Sequence, residues 1–103
     1  MTPSQTLILT QTIAARDVLV LCNPMSSAPV LALCDVSATG LTVNWNGDDA
    51  IELFCTGAGV DIIGQIGVDP GTAWGTGLTS TADRTLRRTC TVSSGDTVGG
   101  DPF

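Results

Sequence analysis

The stretch NWNGDDAIELF (residues 44–54) of this 103-residue chain sets two adjacent carboxylates directly after an Asn-Gly pair, residue types that could do chemistry. Asp48, Asp49 and loop carbonyls are hard oxygen donors of the kind Ca²⁺ takes, and paired carboxylates also serve acid–base hydrolysis. For calcium, the spaced Asp-x-Asp-x-Asp-Gly pattern is absent, and two neighbouring carboxylates fall short of six ligands. For hydrolysis, neighbours in a strand point to opposite faces and do not converge on one bond. The competing reading is turn chemistry. In it Asp48 sits in the loop, its carboxylate accepting from nearby backbone N–H groups, and Asp49 opens the return strand at its solvent end.

Register supports the turn. A two-residue Asn46-Gly47 loop would set Trp45 opposite Asp48 and divide the apolar residues between two faces. A three-residue loop, Asn46-Gly47-Asp48, sets Trp45 opposite Asp49, Val43 opposite Ile51 and Leu41 opposite Leu53, which gives one apolar face. The pattern therefore predicts a hairpin over 41–55.

Other chemistry is narrower still. The chain has no His, so a Ser-His nucleophile and a mixed Cys/His zinc site are both excluded. Cys22, Cys34, Cys55 and Cys90 follow no CxxC spacing, which leaves disulfides, suited to an oxidising compartment, or four small buried hydrophobes. A reactive thiol needs a basic neighbour; only Cys90, two residues after Arg88, has one. No catalysis is expected. Three of the four Arg, Arg84, Arg87 and Arg88, lie in STADRTLRRTC (80–90), either as an anion-recognition patch or as ion-pair partners for surplus Asp. In VDIIGQIGVDPGTAWG (60–75), glycines inside a strand signal a bulge or the close approach of a large ring, and Trp74 is the natural ring. A phosphate cradle at Gly64, Gly67 and Gly71 lacks the helix start and the Lys that such loops use.

The elements that must position these groups read as β. The chain is 43% apolar and 14% charged, with 12 Gly and 15 Thr, which favours a folded domain of strands and turns. Short apolar runs bounded by turn signals predict strands at 7–10, 18–22, 30–33, 41–45, 50–55, 60–66 and 85–92. The weakest of these strand readings is around 30–34, where APVLALCD also reads as one short helical turn. The net charge of −6 is poorly suited to gripping phosphates, so nucleic-acid binding by this domain alone is not expected. No apolar run is long enough to span a membrane, and no targeting signal is read.

The ordered succession NGDDAIEL, VDIIGQIG, DPGTAWG, STADRTLRR and a Ser-Gly-Asp turn resembles the lamin tail domain, particularly its bacterial form in large secreted proteins, over roughly residues 13–103. The resemblance implies an all-β, immunoglobulin-like β-sandwich without an active site or cofactor, a single domain over 1–103. Asn46, Gly47 and Asp48 match its turn, Gly64, Gly67 and Trp74 its core-packing signature, and Leu86, Arg87 and Arg88 its late strand. Cys22 and Cys34, with Asp35 following, also resemble bacterial members, which implies that those two are bonded. The implied role is a non-catalytic structural or protein-interaction module of an extracellular or cell-surface parent protein. The alternative is an accessory substrate- or nucleic-acid-binding domain of a secreted nuclease or phosphatase, with a cationic groove at Arg84, Arg87, Arg88 and Trp74. The family's opening strands and closing acidic-Trp segment have no counterpart here, so the domain reads as truncated at both ends. Open edges and an uncovered core face then predict a homodimer in which a second chain completes the sandwich, against a smaller sandwich closing on itself.

Overall fold

The computed structural model describes residues 2–38 and 42–103, which fall into two compact units, Thr2–Asn44 and Trp45–Phe103. Strand is the main regular structure and helix is sparse. Among the described residues no helix is long and apolar enough to cross a membrane.

In the first unit β1 (Leu21–Cys22) pairs in parallel with β2 (Val36–Ser37), Leu21 opposite Val36 and Cys22 opposite Ser37. A parallel pair cannot be joined by a tight turn and needs a crossover. Here the crossover carries a short helix, α1 (Ala28–Leu31). The strand expected at 30–33 is therefore corrected to the helical alternative, and Pro29 gives the reason: it has no N–H for a ladder, yet its fixed φ suits a first helical turn. The Ser27 carbonyl accepts from both Val30 and Leu31 N–H, closing that turn. Asn23 opens the crossover by accepting from Met25 N–H at 2.8 Å. Asp35 closes it: its carboxylate accepts from Val20 N–H at 2.8 Å while its own N–H donates to the Val20 carbonyl at 3.0 Å. Between these two ends Cys22 and Cys34 are joined by a disulfide, their Cα atoms 5.9 Å apart. Among the described residues the core is small, namely Cys22, Ala38 and Val43. The Asn23 side-chain amide donates to the Val43 carbonyl at 2.7 Å.

The segment 7–10, expected as a strand, has no ladder partner among the described residues, although Leu7 and Leu9 are half-buried and Ile8 is exposed. Its alternation is that of a strand; what it lacks is a neighbour. The strand expected at 18–22 contracts to β1. The first residue of the strand expected at 41–45, Leu41, lies outside the described set.

The second unit is built on an antiparallel ribbon of β3 (Ile51–Cys55) and β4 (Ala58–Ile63). This corrects the hairpin expected over 41–55. The strand at 51–55 turns back at Thr56-Gly57, and both residues take positive φ, 50° and 88°. That is the two-residue turn whose twist matches paired strands, so it outcompetes the longer Asn46-Gly47-Asp48 loop. Described residues 42–45 form no strand. Ile51 pairs with Ile63, Glu52 with Ile62, Leu53 with Asp61 and Phe54 with Gly59, which leaves Val60 as a bulge. The strand expected at 60–66 ends at Ile63, where Gly64 takes φ 81°. A short 3-10 helix, Gly77–Thr79, is the only other regular element among the described residues of this unit. The strand expected at 85–92 is absent: its apolar residues, Leu86 and Val92, are both largely exposed, and a turn from Val92 N–H to the Thr89 carbonyl interrupts it. Alternation without a face to bury gives no ladder.

Cys55 and Cys90 are free and exposed. Alkylation of the denatured, unreduced chain is accordingly expected to label two thiols, Cys55 and Cys90, and reduction to expose two more, as read by mass spectrometry and peptide mapping. Four labels before reduction would contradict the Cys22–Cys34 bond.

Candidate interaction surface

Ile62 and Trp74 form the buried core of the Trp45–Phe103 unit, and Trp74 is the residue around which its irregular segments are arranged. The indole is only 5% exposed. It lies across Gly64, where an added Cβ would stand 2.7 Å from both Cε2 and Nε1. The ring thus occupies the place that glycines in a strand-like stretch leave open. Its Nε1–H donates to the Asp49 carbonyl at 2.9 Å, so burial leaves no polar atom of the ring unpaired. The Phe103 ring approaches from another side, with centroids 6.1 Å apart and planes tilted by 43°.

Backbone ties fix the same point. Trp74 N–H donates to Thr81 Oγ1 at 2.9 Å, and Thr81 N–H returns to the Trp74 carbonyl at 3.0 Å. The Thr81 hydroxyl donates to the Gly47 carbonyl in a short hydrogen bond. The loop at Gly47 and the Trp74–Thr81 turn, 34 residues apart at Gly47 and Thr81, are thereby pinned together beside the ribbon.

The acids of residues 44–54 serve this loop. The Asp49 carboxylate accepts from Asn46 N–H at 3.3 Å, and Asn46 Oδ1 lies 3.5 Å from the N–H of Asp48. The turn chemistry expected of this stretch is present with the roles exchanged: Asp49, not Asp48, supplies the accepting carboxylate, because no return strand begins there to draw it away. Among the described residues no three Cys, Asp or Glu side chains cluster as a metal site.

Of the arginines, Arg88 is a partner for Asp. Its Nη1 and Nη2 reach Asp61 Oδ2 and Oδ1 at 2.5 and 2.7 Å, and Asp96 N–H adds 3.0 Å to Oδ1. The Arg88 hydrogen bonds hold the Asp61 carboxyl below its ordinary range, with the Asp96 N–H helping and burial working the other way. Both side chains remain partly open to water, so the pair is worth less than about 1 kcal/mol. It fastens the 88–96 segment to β4. Farther along, the Gly99 carbonyl accepts from Ile66 N–H at 2.7 Å and the Gly100 carbonyl from the Gln65 side chain at 2.7 Å.

Arg84 is placed differently. It lines an open groove of about 420 Å³ with Trp45, Ile51, Ile63, Trp74 and Leu86. Of the expected patch of Arg84, Arg87, Arg88 and Trp74, the structure therefore brings Arg84 and Trp74 to one groove, turns Arg88 to Asp61, and leaves Arg87 exposed on the segment between. Trp74 contributes to the floor, whereas Trp45, 47% exposed, is the accessible ring. Sequence reasoning assigned Trp45, Ile51, Ile63 and Leu86 no role in a site. The cross-strand pair Ile51 and Ile63 was hidden by the wrong hairpin.

No protein-family model, curated protein or solved structure matches the chain.

Gly64→Ala is expected to destabilise the protein by about 1–3 kcal/mol more than Gly71→Ala, measured by urea unfolding followed through tryptophan emission. Gly71 also has positive φ, 93°, but nothing lies within 4 Å of its Cβ position, so it isolates the backbone cost from the clash with the indole. Equal costs would contradict the packing of Trp74 on Gly64.

Proposed function

We propose that the chain is a non-catalytic structural and protein-interaction module of lamin-tail type, belonging to an extracellular or cell-surface protein, and that it acts by association through the β3–β4 ribbon. The observation that carries this reading is the unfinished ribbon. Among the described residues β3 and β4 pair only with each other, while Leu53, Phe54, Val60 and Ile63 stand exposed, Phe54 at 62%. A two-stranded ribbon is marginal by itself, and open edges carrying apolar side chains invite pairing with another strand. A second copy of the chain supplies strands of the right length and pattern, and with them the immunoglobulin-like sandwich.

Trp74 lying on Gly64 supports the lamin-tail reading, since those two residues belong to the core-packing signature of the resemblance. The burial of Trp74 and the commitment of Arg88 to Asp61 weigh against a polymer-binding groove built on the whole Arg84, Arg87, Arg88 and Trp74 set. The Cys22–Cys34 disulfide suits an oxidising compartment.

Light scattering coupled to size exclusion is expected to give a mass near twice 10.5 kDa, unchanged by reductant, with Phe54→Lys returning it to the single-chain value. Because each copy carries a net charge of −6, the dimer fraction should rise with salt. A monomer at all salt and protein concentrations would refute association through the ribbon.

A further inference from the structure

We propose that the groove lined by Trp45, Ile51, Ile63, Leu86 and Arg84 binds an extended peptide segment in which one carboxylate side chain is flanked by aliphatic or aromatic residues. This rests on the reading of the chain as an interaction module, but not on its self-association.

The groove's size, about 420 Å³, suits a few side chains, and its walls are mostly apolar, with a half-exposed indole at Trp45. Two of its polar residues, Asp49 and Thr81, help hold the loop. The Asp49 carboxylate accepts from Asn46 N–H, its carbonyl accepts from Trp74 Nε1–H, and the Thr81 hydroxyl bridges Gly47 and Trp74. Arg84 is the groove's one cation. Among the described residues the one ion pair is Arg88 with Asp61, and Arg84 makes no side-chain hydrogen bond. A guanidinium at the wall of a mostly apolar groove is complementary to a single carboxylate, which it can hold through two parallel hydrogen bonds.

The ribbon's own geometry favours a peptide over a free organic acid. Ile51 and Ile63 are the last paired residues at that end, so the groove begins where the ladder stops. Both long edges of the β3–β4 ribbon are unpaired among the described residues, so an extended backbone that pairs along one of them reaches the groove with its end side chains, the mode in which sheets capture strands.

The test uses the full chain and two blocked peptides, acetyl-Leu-Glu-Phe-amide and acetyl-Leu-Gln-Phe-amide, titrated against tryptophan emission and by calorimetry. The Glu peptide is expected to perturb Trp45 emission and to bind about tenfold more tightly than the Gln peptide, a preference that fades as salt is raised. Arg84→Ala should abolish that preference and Arg84→Lys should keep part of it, while Trp45→Ala should weaken both peptides. Circular dichroism verifies that each variant is folded. Equal binding of the two peptides, an unchanged preference in Arg84→Ala, or no response to either peptide would overturn the proposal. Light scattering on the same samples separates the two readings: a monomer that discriminates the peptides refutes self-association alone, and a dimer that does not discriminate refutes the groove alone.

Discussion

Trp74 lying across Gly64 is the contact on which residues 45–103 depend, because it converts a marginal ribbon and a set of irregular segments into one unit. The ribbon offers few buried side chains of its own, since Ile62 is its one residue in the core. Burying an indole supplies roughly 4–6 kcal/mol of apolar transfer free energy. Its Nε1–H finds the Asp49 carbonyl, so the gain is not offset by an unpaired donor. The condition is a glycine at 64, where no Cβ stands in the ring's place. Around the indole, Thr81 and Gly47 close a hydrogen-bonded ring that fixes where Arg84 and Leu86 leave the loop.

Residues 2–44 meet the same shortage of core by a different route. With only Cys22, Ala38 and Val43 buried among the described residues, the disulfide and the Asp35–Val20 bonds hold a two-residue parallel pair in place. Cross-linking constrains the unfolded chain where a small core cannot supply enough burial. Both units therefore rely on one specific local device rather than on an extended layer of packed side chains.

Much of this was legible where a residue type has a single structural use. Glycines in a strand-like run pointed to a large ring, and Trp74 is that ring; the apolar run at 50–55 gave β3 nearly to its ends. Legibility failed where pairing decides. Asn46-Gly47 and Thr56-Gly57 are both hairpin signals, and only the tighter turn, with both residues at positive φ, formed the ribbon. The run at 7–10 alternates like a strand, yet periodicity does not say whether a neighbour exists. For 30–33, Pro29 turned an expected strand into the helical alternative. The groove was hidden for the same reason, since Ile51 and Ile63 become neighbours only once the β3–β4 register is known. The arginines were read as a group, whereas the fold divides them, giving Arg88 to Asp61 and leaving Arg84 beside Trp45.

An interaction surface on such a unit inherits its rigidity from Trp74, because the loops that shape the groove are fastened through that residue. The most direct measurement is the emission of Trp74 alone, in a Trp45→Phe variant, followed through urea unfolding beside far-ultraviolet circular dichroism. The account predicts blue-shifted native emission that turns red in a single transition coincident with loss of the ribbon. Solvent-like emission in native buffer, or a red shift that precedes loss of the ribbon, would contradict it.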